Sequence, residues 1–262
     1  MNPISMMVWR IGDLLDVSEQ VEWIAANGFT GISLHASAGT PGQWRGLAPT
    51  DCLPPCREDW RGRLARFAGR EIHAPFGAVM QGSDCVVALV TLAETIAFAA
   101  GLGVGIVTVH ADVSREPAAL PGWREGIRQL AGLAGRHGLV VGLELTGGFG
   151  EVLELADPHI GVTLDVGHMY HHDAAPLIPF GGDLGAVVRL LGERLVHLHL
   201  HDVVGTTDHV APGIGCVDWA GLFAALRDIR YQGMFCLELN PDRVSPESIR
   251  ASREWLARNW GE

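Results

Sequence analysis

Six short apolar runs in this chain each finish on a side chain suited to water, to an opposite charge or to a metal ion. They end at His73, His110, Glu144, Asp165, His199 and Glu238. The two clearest are Gly161-Val-Thr-Leu-Asp165-Val-Gly167-His168 and Val196-His-Leu-His199-Leu-His201-Asp202. A buried strand that delivers a carboxylate or imidazole at its end is poor packing, because the polar group must find a partner. Repeated strand after strand, it becomes a way to gather chemistry in one place. Few folds bring six strand ends together.

The segments between these runs read as helices. Apolar Val21, Ile24 and Ala25 fall at helical spacing after Asp16 or Ser18, either of which can cap, and Asn27-Gly28 stops the helix. Further helices are expected over about 57–68, 85–101, 117–137, 151–155, 183–194, 217–230 and 245–258. Strands are expected to start near residues 4, 30, 71, 105, 139, 161, 195 and 234, which makes eight strand-then-helix units. Such alternation implies a parallel sheet. Eight units in 262 residues imply one domain, residues 1–262, folded as an α/β (β/α)8 TIM barrel with its site at the C-terminal mouth. An open doubly wound sheet would gather ligands at one switch point and not from six strand ends. The segment from Ala36 to Pro55 is too long for an idle connection, and its Trp44 and Arg45 are candidates to touch a substrate. Gly101-Leu-Gly103-Val-Gly105 lies after a helix and before a strand, the wrong order for a dinucleotide cradle, and reads as a helix stop and tight turn.

Composition removes whole mechanisms. All nineteen basic residues are arginine and the chain contains no lysine. Schiff-base aldolase chemistry, pyridoxal phosphate enzymes and Walker-type phosphate loops are therefore excluded. A formal net charge of −11 argues against a nucleic-acid partner, which calls for basic surface. No apolar run reaches the roughly 20 residues of a membrane span. The N-terminus lacks the pattern of a secretion signal, so a cytoplasmic location is expected. The five cysteines are scattered and suggest no disulfide framework. Cys52 and Cys56 could be half of a zinc site, but no matching second pair exists, so they read as loop cysteines. The composition leaves a homo-oligomer open.

Glu144, Asp165, His199 and Glu238 supply three carboxylates and one imidazole, a set suited to one divalent ion, Mn²⁺, Zn²⁺, Mg²⁺ or Co²⁺, with no organic cofactor. His73, His110, His168 and His209 read as substrate-binding, with binding of further metals, such as a second ion at His168, left open. His168 lies beyond its strand, and His209 sits in a Pro- and Gly-fixed loop after the seventh strand. Strand alternation places His197, His199 and His201 on one face, where only one or two can be ligands, so His197 and His201 read as packing or supporting residues. His137, His159, His171 and His172 are given no role.

At these residues the chain resembles the xylose isomerase-like barrel superfamily of sugar isomerases, sugar epimerases and endonuclease IV-type repair enzymes. The resemblance spans most of the chain. It rests on His73-Ala-Pro, Val109-His110, Leu143-Glu144, Leu164-Asp165-Val-Gly-His168, His197-Leu-His199-Leu-His-Asp202, Asp208-His209 with Pro-Gly-Ile-Gly215, and Leu237-Glu238. It implies that Glu144, Asp165, His199 and Glu238 hold one divalent metal. It also implies that Glu144 and Glu238 shuttle a proton on opposite faces of a small sugar or sugar-like hydroxycarbonyl, through an enediol-type intermediate, while His168 binds a substrate hydroxyl. The expected activity is isomerase or epimerase. Endonuclease IV-type members hold three zinc ions with nine ligands. Eight of those places are matched here by His73, His110, Glu144, Asp165, His168, His199, His209 and Glu238, but the ninth, an aspartate, is Thr207. Two further departures are Ser33-Leu34-His35, where many relatives carry a carboxylate, and His201, where a lysine is common. The alternatives are a multi-zinc phosphodiesterase acting on DNA and a non-catalytic barrel that binds a polyol.

Overall fold

The structure is a computed structural model that describes residues 2–81, 85–113 and 118–261. Eight strands close into a parallel barrel: β1 (Ile4–Val8), β2 (Gly31–His35), β3 (Gly69–His73), β4 (Ile106–Asp112), β5 (Val140–Glu144), β6 (Ile160–Asp165), β7 (Leu195–Leu200) and β8 (Phe235–Leu237). Each strand pairs in parallel with its sequence neighbour, and β8 closes on β1 through Ile4–Phe235, Ser5–Cys236 and Met6–Leu237. The expected (β/α)8 barrel is what the chain forms. Among the described residues, no single helix is long and apolar enough to cross a membrane.

Among the described residues, eight helices of seven residues or more lie between and after the strands: α1 (Val17–Ala26), α2 (Pro54–Leu64), α3 (Val86–Leu102), α4 (Leu120–His137), α5 (Phe149–Leu155), α6 (Leu184–Leu191), α7 (Trp219–Asp228) and α8 (Pro246–Gly261). Asp16, not Ser18, caps α1, its carboxylate accepting the Glu19 amide at 3.1 Å. Such a cap contributes about 1 kcal/mol. The α1 face made by Val17, Val21 and Ile24 is buried. α2 starts at Pro54, earlier than expected, because Pro54-Pro55 occupy first-turn positions where an amide hydrogen has no partner to lose. α3 ends where Gly103 takes a left-handed conformation at φ 71°, so the glycine run is the helix stop expected of it. α4 ends in the same way at Gly138. The expected start of α4 at Pro117 lies outside the described residues.

Two departures concern the mouth. The stretch after β7, expected as a plain loop, forms an antiparallel hairpin of Asp202–Val204 and Thr207–Val210. The region between β6 and α6 is a chain of short helical turns from His168 to Phe180. There His172, Asp173 and Ala174 all take positive φ.

Register levels the site. His35 lies opposite His73, His110 opposite Glu144, and Asp165 opposite His199. Parallel strands in this register put those side chains in one layer, and Glu238 joins it one residue past β8, its amide donating to the Leu200 carbonyl at 3.2 Å. The layer beneath is unusually polar for a barrel interior, where branched apolar residues normally dominate. Ser5 and Ser33 hydrogen-bond at 3.0 Å, and so do Thr108 and Thr163. Glu71 and His197 are buried at the same depth.

Candidate active site

Each expected site residue reaches the C-terminal mouth, and Glu144 is the point where most of them meet. Its Oε2 lies 3.2 Å from His73 Nε2, 3.5 Å from His110 Nε2 and 3.5 Å from His199 Nδ1. Its Oε1 lies 3.3 Å from His168 Nδ1. His199 Nδ1 is 2.8 Å from Glu238 Oε2, and His168 Nδ1 is 3.2 Å from Asp165 Oδ2. Glu144, Asp165, His199 and Glu238 are all buried. His73 is drawn in more closely than a substrate-binding role required, since it can share a cation with His199 and Glu238, or with His110 and Glu144.

His209 stands to one side. Its ring stacks on His201 at 3.9 Å between centroids, and its Nδ1 faces Asp208 at 3.1 Å. Its backbone sits at φ 51°, an uncommon conformation for a residue with a side chain. From there its amide donates to His201 Nδ1 at 2.9 Å. The same nitrogen lies 3.3 Å from the Asp202 carbonyl, and His201 Nε2 lies 2.9 Å from Asp165 Oδ1. His201 thus supports Asp165. Asp208 is engaged by Arg243, His171 and His209, and does not take the place of the missing aspartate at Thr207.

The hydrogen bonding tests whether a cation fits. His73 Nδ1 faces the Ala74 carbonyl at 2.7 Å, so it must donate there, and its Nε2 then points a lone pair or a second proton at Glu144. His199 lies between carboxylates on both edges, Glu71 at Nε2 and Glu238 at Nδ1. Asp165 Oδ2, Glu238 Oε2 and His199 Nδ1 are buried without a hydrogen-bond partner. The cluster holds more acceptors than donors, which a divalent cation corrects. The residues fit the metal.

Electrostatics point the same way. Burial opposes the charge on each carboxylate, yet the facing histidines outweigh it and hold Glu144, Asp165 and Glu238 below the ordinary carboxylate range. Burial also opposes the charge on His168, but Asp165 and Glu144 raise it to about 10. His199 is raised well above its usual value by Glu238, Glu144 and Glu71 against the cost of burial. Burial lowers His110 despite the pull of Glu144. His35, buried next to His73 and His110, is lowered well below.

An aromatic wall flanks the cluster. Trp9, Trp44 and Phe76 pack edge to face around His35, and Phe76 stacks on His110 at 5.6 Å. A cleft of about 130 Å³ runs between Trp9, Trp44, Phe76 and Asn240. A second, of about 190 Å³, opens beside His110, Glu144, Asp165 and His168. A larger cavity of about 510 Å³ lies at the strands' N-terminal ends, near Gly69 and Met234, and touches none of these residues. Of the two candidates to touch a substrate in the long segment, Trp44 stands in this wall, whereas Arg45 is exposed. Trp9, Phe76 and Glu71 went unread in the sequence. Trp9 follows β1 directly, Phe76 closes His73-Ala-Pro-Phe76, and Glu71 shares the barrel face of His73 by alternation, so each carried a positional signal.

The fold and site together define a (β/α)8 barrel with a buried carboxylate–imidazole cluster at its C-terminal mouth. The family model for the xylose isomerase-like TIM barrel matches residues 21–259, and the chain belongs to that family. A curated relative, the D-psicose 3-epimerase of Enterocloster bolteae, is 34% identical over 85 residues, which is 32% of this chain and 24% of that protein. The alignment thus spans about a quarter of that relative's length. Among solved structures, D-psicose 3-epimerase with D-tagatose from Clostridium cellulolyticum H10 superposes with a TM-score of 0.75 at 15% identity, covering 98% of this chain and 99% of that one. The IolI protein with a bound zinc atom gives 0.73 at 14% identity, covering 100% and 98%. At these identities the superpositions speak to the fold.

Proposed function

We propose that this chain is a divalent-metal-dependent epimerase or isomerase of a small sugar or sugar-like hydroxycarbonyl. One observation carries the reading. Glu144 and Glu238 both approach the same His199 nitrogen, at 3.5 and 2.8 Å, inside a cluster that holds more acceptors than donors. The names of the curated relative and of the superposed structure, both D-psicose 3-epimerases, support the substrate class.

In this reading Glu144, Asp165, His199 and Glu238 hold the ion, which when bound polarises a carbonyl–hydroxyl pair and acidifies the adjacent C–H. Of Glu144 and Glu238, the ionised one takes the proton from one face of that carbon while the other, carrying a proton, delivers it to the opposite face, so that each turnover exchanges their protonation states. A proton removed on one face and returned on the other inverts the centre through an enediol-type intermediate. His168, whose Nδ1 lies 3.3 Å from Glu144 and 3.2 Å from Asp165, presents its ring to the substrate oxygen that gains charge. His110, 31% exposed at its side chain, and His73 behind it present further polar edges to the substrate. Trp9, Trp44 and Phe76 cover the apolar C–H faces of the sugar and keep water out.

The test is isotope exchange. The protein, loaded in turn with Mn²⁺, Co²⁺, Mg²⁺ and Zn²⁺, is incubated in D₂O with a panel of ketoses and aldoses and followed by NMR. Deuterium entering the carbon next to the carbonyl, with a new epimer or isomer, is expected. No exchange from any sugar with any of the four metals would sink the reading.

One observation favours a second reading, a multi-zinc phosphodiesterase. His73, His110 and Glu144, and separately Asp165, His168, His201 and His209, also lie within ligand range of one another. Thr207 in the ninth place, His201 turned to Asp165 as a donor and the acidic charge weigh toward the one-metal reading. Metal content per chain separates the two, and two to three zinc ions would make abasic-site DNA the substrate to try.

A further inference from the structure

Glu71 is the least expected charge in the molecule. It lies inside β3, fully buried, one strand alternation below His73. Its Oε1 is 3.4 Å from His199 Nε2, within hydrogen-bond range, and its Oε2 is 3.4 Å from His197 Nε2. Cys236 completes the group and is buried as well. A carboxylate so far from water costs several kcal/mol unless it is well paired, and hydrophobic residues of similar size would fill a barrel interior without that cost. The residue therefore calls for an explanation beyond packing.

His199 supplies one. Its Nδ1 faces Glu238 and Glu144, and its Nε2 faces Glu71. A ring with a carboxylate behind it and a ligand cluster in front has the arrangement by which metal-binding histidines are oriented, the rear carboxylate accepting one N–H and so fixing where the other lone pair points. Of its two nitrogens, only Nδ1 is on the side of Glu144 and Glu238. A proton at Nδ1 would remove the imidazole from the cluster.

We propose that Glu71 is a positioning residue that accepts the Nε2 proton of His199 and thereby holds the Nδ1 lone pair toward the ion bound by Glu144, Asp165 and Glu238. His197 shares the load by facing the second carboxylate oxygen, which keeps Glu71 from rotating away. The inference rests on the metal-binding reading given above and assigns a role to a residue that touches neither substrate nor ion.

The experiment uses the full chain and Zn²⁺ alone, with no substrate. Zinc affinity is measured by chelator competition for wild type and for Glu71→Gln, with circular dichroism as the check on folding. The expected result is a 10- to 100-fold weaker affinity in the folded variant. In parallel, long-range ¹H–¹⁵N NMR of the histidine rings in zinc-loaded wild type reads the His199 tautomer directly, and a proton at Nε2 is expected. Equal affinity in folded Glu71→Gln would overturn the proposal. A zinc-bound Nε2 or a proton at Nδ1 in wild type would overturn it too, even if the variant failed to fold. Wild type that binds no zinc, manganese or cobalt would instead remove the metal-binding reading on which the proposal rests.

Discussion

Trp219 donates its indole N–H to Asp202 Oδ2 at 2.9 Å and so ties the first turn of α7 to the end of β7. The same carboxylate accepts the amides of Gly213 at 2.9 Å, Val203 at 2.9 Å and Val217 at 3.1 Å. Asp202 thus gathers the hairpin and the loop behind it into one body, and that body presents His209 to His201. The expected outcome of Asp202→Asn is a loss of about 3 kcal/mol, since an amide must turn its NH₂ toward donors, and Trp219→Phe should cost about 1.5–3 kcal/mol. Urea denaturation checks both.

The same carboxylate sets a pH limb. Burial alone would raise Asp202, but the Trp219 indole and the surrounding amides outweigh it and hold it below the ordinary value. Because the folded value lies below the unfolded value of about 3.9, the stabilisation is complete above that pH and is lost as pH falls through the folded value. The stability gap between wild type and Asp202→Asn should therefore be widest near neutrality and shrink below about pH 4. A gap that stays constant from pH 7 to pH 3 would contradict this.

Gly167 has a reason that its motif alone does not give. A Cβ placed there would lie 2.0 Å from the His201 ring, which is itself stacked on His209. Gly167→Ala must push His201 away from Asp165. A stability loss of about 1–3 kcal/mol is expected, as for overpacking elsewhere. Weaker metal binding should accompany it, because Asp165 loses its donor, and the melting temperature with and without added metal reads both effects.

Much of this was legible in the sequence because the signals were periodic or terminal. Strand–helix alternation gave the barrel, and apolar runs that end on His, Asp or Glu gave the ligand layer. Glu71 escaped because, although alternation puts it on the face of His73, a carboxylate in mid-strand has no strand-end position to mark it as part of a site. The hairpin after β7 escaped because Thr207-Asp208-His209 lacks the alternation that marks a strand, and its pairing shifts register. The left-handed turn at His209 was equally silent, since no glycine marks it. Which nitrogen of His199 carries a proton depends on Glu71, a partner distant in sequence, and no motif encodes that.

The aromatic wall should act on substrate affinity more than on turnover. Trp44 stands in the long segment after β2 and meets Phe76 edge to face at 6.1 Å, clear of the ligand cluster. Trp44→Ala is expected to raise KM about tenfold, equivalent to about 1.4 kcal/mol, with kcat changed little. Steady-state kinetics on whichever sugar shows isotope exchange decides it.

The two glutamates allow the sharpest separation of holding the ion from moving the proton. Glu238 places Oε2 2.8 Å from His199 Nδ1 and leaves that oxygen without a hydrogen-bond partner, so it has both a ligand's position and a free lone pair. Asp165 instead accepts the His168 amide at 2.9 Å and lies 2.9 Å from His201 Nε2, and its proposed task is to hold the ion alone. Asp165→Ala should therefore lose bound metal, read by plasma emission spectrometry, and lose activity with it. Glu238→Gln keeps an oxygen for the ion but no base, so it should retain a large share of the metal while kcat falls by about 10²- to 10⁴-fold. Deuterium exchange should fall in step with kcat, because the same proton transfer limits both. Were Glu238→Gln to keep full exchange with its metal in place, the paired-carboxylate mechanism would fail and proton transfer would have to be sought at His168 or His110.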